Sequence, residues 1–292
     1  MKMYHIISNP TAGKNKYSKN LHKVETYLRE QGVAFETHIS QSSRDATAIA
    51  KSLSEAGVED FIVVGGDGTM NEVLNGLSDP TACRVGLVPS GTGNDFAEKV
   101  GLPFDVEAAC DVIIHGEAKP TDYMEINGVR CMNVAGLGID VDVLERCHKG
   151  KMKGKPKYVL SLIQSLFAFK GYKVEIVCDG KSETRDVLIA ALCNGGQLGG
   201  GIKICPVAEV DDGKLDAIIV DCIGGKIAIV KAFIELMKGR VLEYPLTKHV
   251  RCESIRFIPK NPTTCPVQLD GELYQNLAFD AHVCTGLQFY RP

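Results

Sequence analysis

Three short loops rich in glycine, hydroxyl and acidic side chains each follow a strand-like apolar segment in the first third of the chain. They read Asn9-Pro10-Thr11-Ala12-Gly13-Lys14, Gly65-Gly66-Asp67-Gly68-Thr69 and Ser90-Gly91-Thr92-Gly93-Asn94-Asp95-Phe96. Glycine lets backbone N–H groups approach phosphate oxygens, and a helix N-terminus adds partial positive charge. Each loop alone also suits a tight strand-to-helix turn, but the three together predict a nucleotide-phosphate site.

Asp67 stands in the middle of the second loop. A carboxylate there would repel phosphate unless a cation lay between them, so this residue predicts bound Mg²⁺. The chain contains neither a GxxxxGK[ST] loop nor a GxGxxG fingerprint. The predicted site is therefore neither a Walker A loop nor a dinucleotide-binding turn.

Two acidic turns occur in the second half of the chain. They read Asp211-Asp212-Gly213-Lys214-Leu215-Asp216 and Asp270-Gly271-Glu272. The first suits either a β-turn or a hard-cation site built from a carboxylate and backbone carbonyls. The second, taken alone, favours a two-residue hairpin turn.

The elements that must position these loops alternate between strand and helix over the first ~120 residues, as a parallel α/β sheet requires. Strands are predicted at residues 4–8, 34–39, 61–66 and 85–89, and helices at 16–31, 44–56, 70–77 and 105–115. The strand segments are nearly continuous aliphatic runs, which is typical of parallel strands covered on both faces.

From about Asp122 onward, short strand-like runs separated by turn residues predict a mainly antiparallel β-sandwich, with helices near 157–169 and 225–238. The predicted fold class is therefore α/β, with a parallel-sheet domain at residues 1–121 and a β-sandwich domain at residues 122–292. The prediction leaves open that residues 285–292 pack back on the first domain. Two domains also suit a chain of 292 residues.

The composition excludes some classes of protein. The formal net charge of -3 gives no support to a nucleic-acid partner. The chain shows neither a signal peptide nor an apolar run long enough to span a bilayer, so membrane contact would be from outside. Its 11 cysteines lack metal-type spacing. We therefore expect reduced thiols in a cytoplasmic protein.

The motifs SNPTAGK, GGDGTMNEV, PSGTGNDFA, PTDYMEIN, DDGKLDAIIV and QLDGE follow one another along the chain. In order and spacing the chain resembles the diacylglycerol kinase catalytic family, which is related to sphingosine and ceramide kinases. The resemblance implies a nucleotide domain like that of phosphofructokinases and NAD kinases, a β-sandwich domain, and catalysis in the cleft between them. It implies an ATP-dependent lipid kinase, with diacylglycerol as the leading acceptor. The alternatives are a small-molecule kinase of the NAD kinase type and a non-catalytic nucleotide-binding module.

The resemblance also implies roles for particular residues. Fifteen residues are expected around the ATP phosphates: Asn9, Pro10, Thr11, Ala12, Gly13, Ser40, Gly65, Gly66, Asp67, Gly68, Thr69, Asn71, Glu72, Gly91 and Thr92. A structural Mg²⁺ is expected on Asp212 with the backbone carbonyls of Glu209 and Lys214. Asp95, Asp67 and Asp122 are expected to link that ion through water to the active site, and Glu272 corresponds to the general base.

A lipid acceptor requires contact with a bilayer. Five lysines occupy positions 149, 151, 153, 155 and 157, and an apolar stripe follows at positions 159, 162, 163, 166 and 167. The lysines suit either an anionic inner-membrane face or a solvated loop, and the stripe suits either the membrane or the core. The expected partners are thus a lipid alcohol and, transiently, an anionic membrane. Dimers occur in the family, so a homodimer is compatible with the resemblance.

Overall fold

The computed structural model describes residues 2–9, 16–42, 44–149, 164–165, 169–223, 225–275 and 278–292. The chain divides into two compact units. The first comprises Met1–Tyr123, Val210–Asp212 and Cys284–Pro292, and the second comprises Met124–Glu209 and Gly213–Val283.

The first unit contains a parallel sheet in the order β2-β1-β3-β4, with the end of β17 paired to β4. Its elements are β1 (Met3–Ser8), α1 (Lys16–Glu30), β2 (Ala34–Ile39), α2 (Asp45–Glu55), β3 (Asp60–Gly65), α3 (Asp67–Gly76), a 3-10 turn (Pro80–Ala82), β4 (Arg84–Pro89), α4 (Asp95–Lys99) and α5 (Val106–Ile114). The strand β5 (Ala118–Ile126) leaves this unit, and β17 (Phe279–Tyr290) returns to it.

Helices cover this sheet. Leu21 and Val24 of α1 and Ile113 of α5 form one core with Ile6 and Ile62 of the sheet. α2 packs against α3, where the Thr47 hydroxyl donates a hydrogen bond to the backbone oxygen of Glu72 at 2.9 Å. Every residue of β3 is buried, which explains its apolar run from Phe61 to Val64.

The second unit is mainly antiparallel. Its elements are β6 (Val129–Cys131), β7 (Val134–Gly138), α6 (Ile139–Lys149), β8 (Tyr172–Cys178), β9 (Lys181–Cys193), β10 (Gln197–Leu198), β11 (Ile202–Lys203), β12 (Leu215–Asp221), α7 (Gly225–Met237), a 3-10 turn (Val241–Glu243), β13 (Thr247–Cys252), β14 (Ser254–Asn261), β15 (Val267–Leu269) and β16 (Glu272–Tyr274). The long strand β9 pairs with β8 along its first half and with β7 and β12 along its second.

Both faces of the second half of β9 are buried. Ala190 and Leu192 belong to one hydrophobic core of the second unit. Ile189 and Ala191 point the other way, into a second core that includes Ile229 of α7. Because side chains alternate along a strand, two cores require an apolar residue at every position of this segment.

The α/β class with parallel N-terminal strands and a C-terminal antiparallel domain is confirmed. The structure differs from the predicted helices at one boundary and does not describe most of another predicted helix. The third helix begins at Asp67, three residues before the predicted start at 70, because the backbone of Gly66 to Met70 already forms the first helical turn. The predicted helix at 157–169 lies almost entirely outside the described residues. None of the described helices is long and apolar enough to cross a membrane.

Candidate active site

The four parallel strands of the first unit end at nearly the same level. Ser8 at the end of β1 is in register with Ile39 of β2 and with Val64 of β3, and Gly65 is in register with Pro89 of β4. The loops that follow these strands therefore start at one edge of the sheet, as predicted from the parallel arrangement.

The second and third loops pack backbone against backbone. A Cβ on Gly66 would lie 2.8 Å from the Cα of Gly91, so neither position has room for a side chain. The backbone N–H of Ser90 donates a hydrogen bond to the oxygen of Gly65 at 2.8 Å. These two loops thus form one glycine-lined surface at the N-terminus of α3.

The Asp67 carboxylate holds the start of α4. Its oxygens accept hydrogen bonds from the backbone N–H groups of Asp95 and Phe96, each at 3.1 Å. A helix N-terminus stabilises a negative charge, so this arrangement already accounts for an acid in the loop without a cation. Asp67 therefore has a positioning role that the sequence did not reveal.

Two asparagines that sequence reasoning missed complete the third loop. Asn94 adopts the left-handed conformation, with φ of 57°, and its amide exchanges two hydrogen bonds with the backbone of Gly91, at 2.9 and 3.1 Å. Asn20 of α1 donates to the Ser90 hydroxyl at 3.0 Å. The left-handed tolerance of asparagine was a usable signal for Asn94. No feature of the sequence around Asn20 indicates its contact with Ser90.

Two predicted nucleotide-binding residues carry buried oxygens without a partner among the described residues. The Ser40 hydroxyl is one, directly after β2, where its backbone N–H donates to the Ser8 oxygen at 2.9 Å. The Oε2 atom of Glu72 in α3 is the other. Buried polar atoms are normally paired, so these oxygens suit a polar ligand.

Gly68 lies in open space, since a Cβ there would meet no atom within 4 Å. Packing within the protein therefore does not require glycine at this position. The missing side chain leaves room beside the first turn of α3. The residues present fit a nucleotide phosphate at this helix N-terminus. Of the other predicted residues, Thr69 and Asn71 are buried, Thr92 is exposed, Asn9 is half-buried, and Pro10, Thr11, Ala12 and Gly13 lie outside the described residues.

The first acidic turn belongs partly to the first unit. The backbone N–H of Asp122 donates to the oxygen of Val210 at 2.6 Å, and Arg291 pairs with Asp211 at 2.5 Å. Asp122 lies in the middle of β5, so these contacts hold the segment that leads to Asp212 beside that strand. Across the described part of the chain, the carboxylates of Asp95, Asp122 and Asp212 do not form a cluster with all ligand atoms within 4.8 Å. Glu209 and Lys214 flank this segment in sequence.

The second acidic turn is a hairpin in the second unit. Asp270 and Gly271 have φ of 48° and 86°, so they form the predicted two-residue turn between β15 and β16. The Asp270 carboxylate accepts hydrogen bonds from the backbone N–H groups of Met132, Asn133 and Val134, at 2.7 to 3.1 Å. Asp270 is therefore structural, and Glu272 follows it as the exposed first residue of β16.

Burial makes at least two of the described cysteines unreactive. The described cysteines are free thiols, as predicted. Burial raises the pKa of Cys110 to about 12 and likewise raises the pKa of Cys252 to about 12. Thiols with such pKa values stay protonated and are poor nucleophiles.

Comparison with known proteins agrees with this geometry. Residues 3–126 match the family model of the diacylglycerol kinase catalytic domain, and residues 133–287 match that of the YegS C-terminal NAD kinase beta sandwich-like domain. A diacylglycerol kinase of Bacillus subtilis is 34% identical over 75% of this chain and 74% of the relative. One of Staphylococcus carnosus is 31% identical over 91% of this chain and 87% of the relative.

Solved structures give the same result. The crystal structure of a diacylglycerol kinase from Bacillus anthracis superimposes with a TM-score of 0.80 at 26% identity, covering 100% of this chain and 97% of that one. Both domain models match in the expected order, and relatives above 30% identity cover most of the chain. The chain therefore belongs to the diacylglycerol kinase family that its motifs resemble.

Proposed function

We propose that this protein transfers the γ-phosphoryl group of ATP to the free hydroxyl of diacylglycerol, giving phosphatidic acid and ADP. Family membership makes the chain an ATP-dependent lipid kinase, which is the enzyme class predicted from its motifs. Diacylglycerol is the acceptor that the names of its relatives favour. A kinase of the NAD kinase type and a non-catalytic module are correspondingly less well supported.

The observation that carries the proposal is the surface formed by Gly66 and Gly91 at the N-terminus of α3. The two backbones are in contact, and the open space at Gly68 lies beside them at the first turn of α3. The unpaired hydroxyl of Ser40 can donate a hydrogen bond to a phosphate oxygen, whereas the unpaired Glu72 oxygen can only accept one from a ligand donor or bind a cation. In our proposal the ATP phosphates bind here, with the loop after β1 completing the site.

The reaction forms a bond between the acceptor oxygen and the γ-phosphorus, and breaks the bond to the bridging oxygen of ADP. The proton of the hydroxyl goes to Glu272, which acts as general base. Such transfers are catalysed mainly by positioning and by charge neutralisation. A Mg²⁺ ion, when bound, would neutralise the charge of the phosphate groups. Asp212 and the carbonyls of Glu209 and Lys214 would hold a structural Mg²⁺, and Asp95, Asp67 and Asp122 would link it through water to the active site.

The test is a kinase assay with labelled ATP and Mg²⁺ on a panel of lipids in mixed micelles, with the products separated by chromatography. We expect label in phosphatidic acid when diacylglycerol is offered. Triacylglycerol, which lacks the hydroxyl, is the matched control and should stay unlabelled. Preferential labelling of phosphatidylglycerol or a sphingoid base would contradict the proposed acceptor, and no labelled lipid at all would contradict the proposed reaction.

Contact with an anionic membrane through the lysine run remains part of the proposal. The side chains of positions 149–157 and the apolar positions 159–167 that follow them lie outside the described residues. Electrostatic docking fades with salt, because the Debye length falls from about 10 Å at 0.1 M to about 3 Å at 1 M. Replacement of the five lysines by Gln should therefore reduce vesicle binding at low salt only.

A further inference from the structure

Helix α7 of the second unit exposes a row of large apolar side chains. Ile227, Val230, Ile234 and Met237 have exposed fractions of 73%, 37%, 42% and 51%. Their spacing of three and four residues places them on one face of the helix. We call these four residues the α7 stripe. Ile223, just before the helix, is also exposed at 51%.

The opposite face of the helix is what holds α7 to its unit. Ile229 and Ala232 are buried in the core above β9, and Phe233 and Leu236 pack against the same core. A helix that is apolar on all sides is normally buried all round. In α7 only one face is buried in the core, so the α7 stripe is not needed for folding of the second unit.

Basic side chains border the stripe. At about 100° per residue, Lys226 and Lys231 fall on opposite sides of it. Lys238 and Arg240 follow the helix, where both reach Glu235, at 3.3 and 2.9 Å. From Gly225 to Arg240 the chain thus has four basic residues and one acidic residue. An apolar face bordered by lysines matches the boundary between acyl chains and anionic headgroups.

We propose that α7 is a membrane-docking helix, lying in the interface of an anionic bilayer with the α7 stripe among the acyl chains and its lysines at the headgroups. The inference rests on the proposed function, because a diacylglycerol acceptor resides in a bilayer. It goes beyond the lysine run at 149–157, which is a separate segment of the chain.

A second copy of the chain is a poorer occupant of the stripe. A helix of 13 residues is about 20 Å long, and a face about 10 Å wide gives roughly 200 Å² of contact. Stable protein interfaces bury roughly 800 Å² on each partner. An interfacial helix needs no such area, because its binding adds to that of the charges around it.

The test compares the full-length wild-type protein with the double variant Ile227→Gln/Ile234→Gln by co-sedimentation with vesicles of phosphatidylcholine and phosphatidylglycerol. Both side chains are exposed, so the variant should fold normally, as circular dichroism and thermal unfolding will verify. We expect vesicle partitioning to fall about tenfold or more. The variant Lys226→Gln/Lys231→Gln should also bind less, and its deficit should vanish at 1 M salt.

The matched control is Met3→Gln/Phe104→Gln, which removes apolar side chains of 45% and 55% exposure that belong to the first unit. It should bind vesicles as the wild type does. Equal partitioning of the Ile227→Gln/Ile234→Gln variant and the wild type would overturn the proposal, as would absence of wild-type binding. Light scattering that showed a wild-type dimer dissociated by the same variant would assign the stripe to a second copy instead.

Failure of the proposed function would be seen separately. Vesicle binding is measured without ATP, so it does not depend on catalysis. Phosphorylation of a short-chain, water-soluble diacylglycerol by the stripe variant should equal that of the wild type. If neither protein phosphorylates the short-chain lipid, the proposed acceptor is wrong whatever the vesicles show.

Discussion

Gly66 and Gly91 approach so closely that a Cβ on Gly91 would lie 2.5 Å from the Cα of Gly66. They belong to loops that follow neighbouring strands, β3 and β4. Backbone packed on backbone cannot yield by moving a side chain, so any added atom must push the two loops apart. The proposed phosphate surface therefore depends on this pair of glycines.

Gly91→Ala should destabilise the protein by about 1 to 3 kcal/mol and weaken binding of Mg·ATP, because the loops must separate. Denaturant unfolding and calorimetric titration measure the two effects. Gly68→Ala is the matched control for folding, since its Cβ would meet no atom within 4 Å. Wild-type stability in Gly91→Ala would mean that the loops tolerate separation.

Asp67→Ala should lower stability by about 0.5 to 2 kcal/mol, since α4 loses the carboxylate at its N-terminus. It should also abolish lipid phosphorylation and weaken Mg·ATP binding, because the third loop is no longer held to the second. Asp105→Ala is the matched control. The Asp105 side chain caps α5 through two backbone N–H groups at 3.1 Å. This variant should lose similar stability and keep nucleotide affinity. Unchanged affinity in Asp67→Ala would contradict its positioning role.

Glu272→Gln should reduce turnover by about 100-fold or more while Mg·ATP affinity stays near that of the wild type, because the amide cannot accept the hydroxyl proton. The measurement is steady-state lipid phosphorylation beside a nucleotide titration. Glu243→Gln, an exposed acid in the same unit, serves as the control and should keep full activity. Turnover within about tenfold of wild type would remove Glu272 as the base.

Asp212→Ala should abolish the stabilisation that added Mg²⁺ confers, if Asp212 holds a structural cation. Melting temperature is measured with and without Mg²⁺. Asp211→Ala is the matched control, because it removes the pair with Arg291 at 2.5 Å but leaves the proposed ligand. This control should still melt at a higher temperature in Mg²⁺. If Mg²⁺ raised the melting temperature of both variants equally, Asp212 would not be the ligand of a structural cation.

Asp60 should make part of the stability of the first unit pH-dependent. Burial alone would raise its pKa, but hydrogen bonds from Arg84 and Lys2 outweigh burial and lower the pKa. Both Arg84 contacts measure 2.7 Å. A lowered carboxyl pKa stabilises the fold above the ordinary pKa of about 3.9, and this contribution is lost as pH falls through the lower folded value.

The free energy of unfolding, followed from about pH 6 to about pH 3, tests this prediction. Wild type should lose more stability on acidification than Asp60→Asn, in which no carboxyl titrates. Parallel curves for the two proteins would show that Asp60 does not contribute to the acid response.

The sequence alone was enough to predict the fold class and the family. In β3 the residues from Phe61 to Val64 are all apolar because both faces of the strand are covered, and such a run in the sequence indicates burial directly. The loops could also be assigned to one edge of the sheet, since parallel strands end on the same side. The hairpin at Asp270 followed from a dipeptide that favours one turn type.

Contacts between distant residues were decided only by the tertiary structure. The sequence predicted a cation at Asp67, which stays a prediction, and only packing shows that the N-terminus of α4 also lies at this carboxylate. It also brings Asn20 to Ser90 across 70 positions of the chain. For α7 the sequence predicted only a helix near residues 225–238. Ile229 is buried and Ile227 is exposed because the core above β9 packs against only one face of the helix. The periodicity of one helix does not show which face packs against the rest of the protein.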